Sequence, residues 1–207
     1  MRLVLASASP RRAELLTAAG YSFEVHAVDL DERVHRGETA RVYVQRLAVE
    51  KSERALEELS RASSGVRPAV DLGDLVVLAA DTAVVAGEQI LGKPADVEDA
   101  SRMLRRLAGR THQVLTGVSV RSVLADVVHV EATAVTFSAL TEEQIAWYVS
   151  SGEGRDKAGG YAIQGLAARF IPRIEGSYAN VVGLPIATID GLIRRLSWPP
   201  GVLASHE

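Results

Sequence analysis

Residues 75–80 read LVVLAA, an unbroken apolar run, and Asp81 follows it directly. The run is far too short to cross a membrane as a helix and is rich in strand-favouring valine, so it is predicted to be a buried strand. A strand that is apolar on both faces needs cover on both, which is the interior of an α/β sheet. In such sheets ligands bind beyond the carboxyl ends of strands, and an acid closing this run would stand at such an end.

The remaining chain alternates strand and helix patterns. LVLA, residues 3–6, is predicted as a strand. Ser9 then serves as N-cap and Pro10 as first residue of a helix running to Gly20. FEVHAV leads into an acidic loop with Asp29, Asp31 and Glu32. Thr39 caps a helix to about Leu59 whose apolar stripe is Val44, Leu47, Ala48 and Ala55, with Lys51 lying on that stripe. Residues 60–74, mixing Ser, Gly and Pro, are expected to form a surface loop. GKP at 92–94 makes a turn, and Asp96 caps a helix that buries Ala100, Met103, Leu104 and Leu107 and stops at Gly109. Val114 to Phe137 reads as an antiparallel hairpin turning at Leu124-Ala125-Asp126, and Thr141 with Gln144 forms a capping box for a helix through Val149. A Gly-rich loop, SGEGRDKAGGYAIQG, is followed by FIPRI, the turn EGSYAN and a last helix from Pro185 to Leu196. One domain over 1–198, with a frayed 199–207 tail, is the expected organisation.

The chain has 207 residues, 47% of them hydrophobic, and a formal net charge of −3, which gives no broad basic surface for nucleic acid. Having no cysteine, it has no disulfide, thiol nucleophile or Cys-based zinc site. Without a signal peptide or an apolar span of membrane length, it is expected in the cytoplasm, with no membrane partner.

The chemistry is sought where local rules are broken. Arg11 and Arg12 stand in the first turn of a helix, where the macrodipole favours acids. A bound polyanion would resolve this, since backbone N–H groups, the Ser9 hydroxyl and two guanidinium forks would converge on phosphate oxygens. The plain alternative is that both arginines are solvated or paired with Glu14 and the acidic loop. Lys51 either snorkels past its buried stem or joins the same anion site. Asp81 can ligate a divalent cation, accept a proton from water, or simply form a turn with Thr82. Glu32 is a possible second carboxylate, and Lys93, stiffened between Gly92 and Pro94, can aim an ammonium inward or lie on the surface. Gln164 can read a base edge through its amide or satisfy loop backbone. His112 and His129 lack metal-ligand spacing and read as core or surface residues. No GxGxxG, P-loop or nucleophile elbow is present, and Ser7 and Ser9 have no recognisable His/Asp partners.

LASASPRR, the DE at 31–32, RLAVEK, AADTAVV, GKP, GRTHQVLTGV, DKAGGYAIQG and GSYANVVGLP occur in an order that resembles the Maf family, the septum-formation-type nucleoside triphosphate pyrophosphatases, from Leu3 to Pro185. The resemblance implies an inosine-triphosphatase-like α/β fold, with a long mixed twisted sheet flanked by helices and two lobes around a central cleft. It also implies a homodimer and a divalent cation, Mg, Mn or Co, held by Glu32 and Asp81. Asp81 matches the proton acceptor; Ser9, Arg11, Arg12, Lys51 and Lys93 match positions that hold the phosphates. The Asp81-Thr82 pair and YAIQG resemble the branch acting on dTTP and UTP, with Arg11, Thr82 and Gln164 governing base choice. A pyrophosphatase for 7-methyl-GTP or another noncanonical nucleotide, and a nucleotide-sensing regulator of cell division, are the alternatives. The longer 60–74 loop and the Trp-Pro-Pro tail depart from the family pattern.

Overall fold

The computed structural model describes residues 1–64 and 73–197, without the side chains of 62–64 and 197. Its centre is a seven-stranded mixed sheet. In chain order the strands are β1 (Arg2–Leu5), β2 (Phe23–Val25), β3 (Leu75–Ala86), β4 (Gln89–Leu91), β5 (Thr111–Arg121), β6 (Asp126–Thr136) and β7 (Arg173–Glu175). The helices are α1 (Pro10–Ala18), α2 (Ala40–Ser64), α3 (Val97–Leu107), α4 (Glu142–Ser150), α5 (Tyr178–Val182) and α6 (Ile186–Ser197). The spatial order is β2-β1-β3-β5-β6-β7, with β4 paired to the far part of β3. β1 lies parallel to β2 and β3, whereas β3, β5, β6 and β7 are antiparallel neighbours.

The sequence signals that depend on neighbouring residues are met. Asp96 accepts from the Asp99 N–H at the start of α3, which buries Ala100, Met103, Leu104 and Leu107. Thr141 and Gln144 form the reciprocal capping box of α4. Val44, Leu47, Ala48 and Ala55 of α2 are fully buried, and the hairpin pairs Arg121 with Asp126 across its turn.

Three expectations change. The apolar run does not end at Asp81: β3 continues to Ala86 because β5 pairs with it from Val77 to Val85. Asp81 therefore lies in mid-strand, and an apolar run alone does not reveal where its partners stop. α2 extends to Ser64, so the start of the expected 60–74 loop is helical, while residues 65–72 lie outside the described residues. EGSYAN is the end of β7 followed by a short helix capped by Ser177, whose hydroxyl accepts from the Asn180 N–H. The 199–207 tail also lies outside the described residues.

What positions the site is the uneven edge of β3. β1 pairs with β3 only up to Leu5–Leu78, and β4 joins the same strand only from Val84. Between these two partners a stretch of β3 containing Asp81 and Thr82 has β5 on one side and an open edge on the other. The apolar layers divide accordingly. Leu3, Leu5, Val76, Leu78 and Ala80 pack with Leu16 of α1 and Ile189 of α6, while Val4, Leu75, Val77 and Ala79 pack with Ala55 of α2 on the opposite face. Beyond the open edge a further core joins Val84 and Leu91 to α3 and α4. Gly117, paired with Asp81, sits where α2 presses on the sheet: a Cβ there would run into the Val44 carbonyl. The missing side chain lets α2 approach, and α2 carries Lys51.

Candidate active site

A cavity of about 590 Å3 opens at the free edge of β3 and falls within the usual range for small-molecule sites. Because successive side chains of a strand point to opposite faces, Asp81 and Thr82 lead in two directions from one place. Asp81 faces α2, where the Lys51 ammonium donates to its Oδ1 at 2.7 Å and also contacts Glu32 Oε1 at 2.5 Å. Lys51 and Asp81 are both buried. The trio of one ammonium and two carboxylates carries a surplus negative charge. Burial pushes the Glu32 carboxyl up, but the bonded Lys51 ammonium, with Lys93 and Arg12 nearby, outweighs this and holds it below the usual carboxylate range.

Thr82 faces α1. The Arg12 guanidinium donates to Thr82 Oγ1 at 3.2 Å, to Ser7 Oγ at 3.0 Å and to the Gly183 carbonyl at 2.9 Å. Burial pushes this guanidinium down and the Asp81 and Glu32 carboxylates oppose it; arginine remains a cation in such surroundings. The Thr82 hydroxyl also meets Thr116 Oγ1 at 2.9 Å, so Thr82 enters the site as a partner of Arg12. Ser9 occupies the N-cap position of α1 with extended backbone but makes no side-chain cap bond. Its hydroxyl is therefore not consumed by the helix, and its N–H donates to Ser7 Oγ.

Arg11 points elsewhere. It pairs at 3.1 Å with Asp156, whose other oxygen lies 2.6 Å from the Lys157 ammonium. Both belong to the glycine-rich loop, which also places Gln164 at the cavity, exposed. Lys93 lines the same cavity from its turn, and the Gly92 carbonyl accepts from the Gly159 N–H, which ties that turn to the loop. Tyr161 closes the back of the cavity, its hydroxyl 2.8 Å from His112 Nε2. His112 is a core residue and His129 a surface one beside Glu131.

All nine residues singled out from the sequence, Ser9, Arg11, Arg12, Glu32, Lys51, Asp81, Thr82, Lys93 and Gln164, therefore line one cavity. Sequence reasoning missed Ser7, Tyr43, Asp156, Lys157 and the Gly183 carbonyl. Tyr43 lies one turn after the N-terminus of α2, and its hydroxyl donates to the Glu32 carbonyl at 3.0 Å, holding the acidic loop over the cavity. The adjacent acid and base in DKAGG were a usable signal for Asp156 and Lys157; a backbone carbonyl leaves none.

Glu32 and Asp81 are hard oxygen donors on one cavity wall, and their surplus negative charge suits a divalent cation. Among the described residues no three His, Cys, Asp or Glu side chains cluster as a complete metal cage. A cation held by these two carboxylates would complete its shell with water and substrate phosphate.

The mixed sheet with flanking helices defines the class of protein first. The structure of the Staphylococcus aureus Ham1 protein is similar in fold, with a TM-score of 0.50 and 15% identity over 94% of this chain and 98% of that one. The family model described as Maf-like protein matches residues 2–196, and the chain belongs to the Maf family. The dTTP/UTP pyrophosphatase of Anaeromyxobacter dehalogenans (strain 2CP-C) is 50% identical over 202 residues, covering 96% of this chain and 95% of its own. That of Hahella chejuensis (strain KCTC 2396) is 48% identical over 193 residues, covering 93% and 91%.

Proposed function

We propose that this protein is a nucleoside triphosphate pyrophosphatase that hydrolyses dTTP and UTP to the monophosphate and pyrophosphate. The observation that carries this is the convergence in one cavity of the cations Arg11, Arg12, Lys51 and Lys93 with the carboxylates Asp81 and Glu32. The names of its near relatives support the choice of substrate. A triphosphate needs positive charge to hold it and to stabilise the departing pyrophosphate, and a proton acceptor to activate water.

Arg12, with its fork held by Ser7 and Gly183, is the fixed cation for the phosphates, and Ser9 offers its free hydroxyl at the helix start. Lys51 keeps Asp81 aligned. Asp81 takes a proton from water as the water oxygen bonds to the α-phosphorus, and the bond from that phosphorus to the bridging oxygen breaks, releasing pyrophosphate. A divalent cation held by Glu32 and Asp81 supplies Lewis-acid stabilisation of phosphate charge when bound. Arg11, which also takes part in holding the phosphates, acts with Gln164 on base choice, and Thr82 does so through Arg12. Among the described residues no helix is long and apolar enough to cross a membrane, and we assign the reaction to the cytoplasm.

The test is a panel of dTTP, UTP, CTP, GTP and 7-methyl-GTP with Mg2+, the products separated and identified. Monophosphate plus pyrophosphate, fastest from dTTP and UTP, is expected. A diphosphate with orthophosphate would move the cut to the wrong bond, and a preference for 7-methyl-GTP would reassign the substrate.

A further inference from the structure

Asp156 is an anion built into a cavity that is to receive a polyanion. It belongs to the glycine-rich loop, whereas Asp81 lies on β3 and Glu32 on the acidic loop. It joins two walls of the cavity: Arg11 at the start of α1 lies 3.1 Å from one of its oxygens, and Lys157 lies 2.6 Å from the other. Lys157 is held there by a second bond, 2.6 Å to the Glu153 carbonyl. The bond from Lys157, reinforced by Arg11, keeps the Asp156 carboxyl at about 2, so it is ionised throughout the neutral range. All three side chains line the cavity, and that of Asp156 is 65% exposed. The Arg11 and Lys157 side chains are largely covered, so it is the exposed carboxylate that can leave for solvent and give way to a stronger anion.

Resting on the function proposed above, we infer that Asp156 competes with phosphate for Arg11 and Lys157 and so weakens the hold of this part of the cavity on anions, the pyrophosphate product included. A nucleoside triphosphate has its base and sugar as additional holds on the cavity and displaces the carboxylate. Inorganic pyrophosphate has charge alone, binds against the competitor and leaves. Asp156 thus favours release of a product that is held by charge alone.

The experiment is calorimetric binding of inorganic pyrophosphate, without nucleotide, to the wild-type chain and to Asp156→Asn, which keeps the side chain's shape. The variant is expected to bind pyrophosphate roughly twofold to fivefold more tightly, the size of a partly exposed ion pair. That advantage shrinks as salt is raised to about 0.5 M, because exposed charges are screened. The pyrophosphate inhibition constant measured against dTTP falls in parallel. Equal pyrophosphate binding by the two proteins overturns the proposal. Weaker binding by the variant also overturns it, since Asp156 would then be orienting Arg11 and Lys157 for the anion. Both comparisons of binding stand whether or not dTTP is the substrate, so a wild-type chain that releases no pyrophosphate from dTTP overturns the function while leaving this result readable.

Discussion

Arg12 is 9% exposed and donates to three different segments of the chain, whereas Arg11, one residue earlier in the same helical turn, has an ion pair with a largely exposed Asp156. One guanidinium is preorganised and the other is free to change partners at little cost. The same contrast extends along the cavity. Lys51 and Arg12, beside Asp81 and Thr82, are buried and bonded to the sheet, whereas Asp156 and Gln164 are exposed on a loop. Positioning matters most where a proton moves and a bond breaks, and adaptability serves where different nucleosides and a departing product must be accommodated.

Several substitutions would break or sharpen this contrast. The largest effect is expected from Asp81→Asn, which should lower pyrophosphate release from dTTP by about 10²–10⁴-fold, the usual worth of a general base. Its melting temperature should stay close to that of the wild type, because Glu32 still pairs with Lys51. A variant turning over at the parental rate removes Asp81 from the chemistry.

The loop at the exposed end is anchored by a buried pair, Tyr161 and His112, and this can be read through pH. Burial pushes the His112 imidazolium down to about 4 from an ordinary 6.5. Between those values the unfolded chain binds the proton and the folded one does not, so stability is fully present above pH 6.5 and declines as pH falls toward 4. The full contribution is up to about 3 kcal/mol. Denaturant melts of His112→Gln should therefore show a shallower decline over that window than the wild type; parallel curves would show that the buried imidazole contributes nothing to acid sensitivity.

Arg12→Lys should lower kcat/KM for dTTP about 10–100-fold and reduce stability, since an ammonium cannot reproduce three forked bonds. Arg11→Lys should cost only about threefold, an effect that fades at about 0.5 M salt. Equal losses from the two conservative changes would erase the distinction between a rigid and an adaptable end.

Much of the local structure was legible because its causes lie within a few residues. Asp96 and Thr141 cap helices through bonds to residues three positions on, and the stripe of α2 marks Lys51 as a cation on a buried face. The Arg11-Arg12 conflict with the helix dipole singled out two cations that line the cavity. What misled was the strand end. Asp81 gains its access to the cavity from the gap between β1 and β4 along β3, and neither partner's end is encoded in the LVVLAA run.

The residue types, their periodicities and the caps were thus determined by the sequence alone, since hydrophobic patterning and side-chain-to-backbone bonds act over one or two turns. Only the tertiary structure decided which of two adjacent arginines is fixed, that Lys51 joins Asp81 to Glu32, and that Asp156 stands opposite Arg11. Those contacts reach across as many as 171 residues. They depend on how strands of unequal length pair and on how closely α2 can approach at Gly117, quantities that no local stretch of sequence contains.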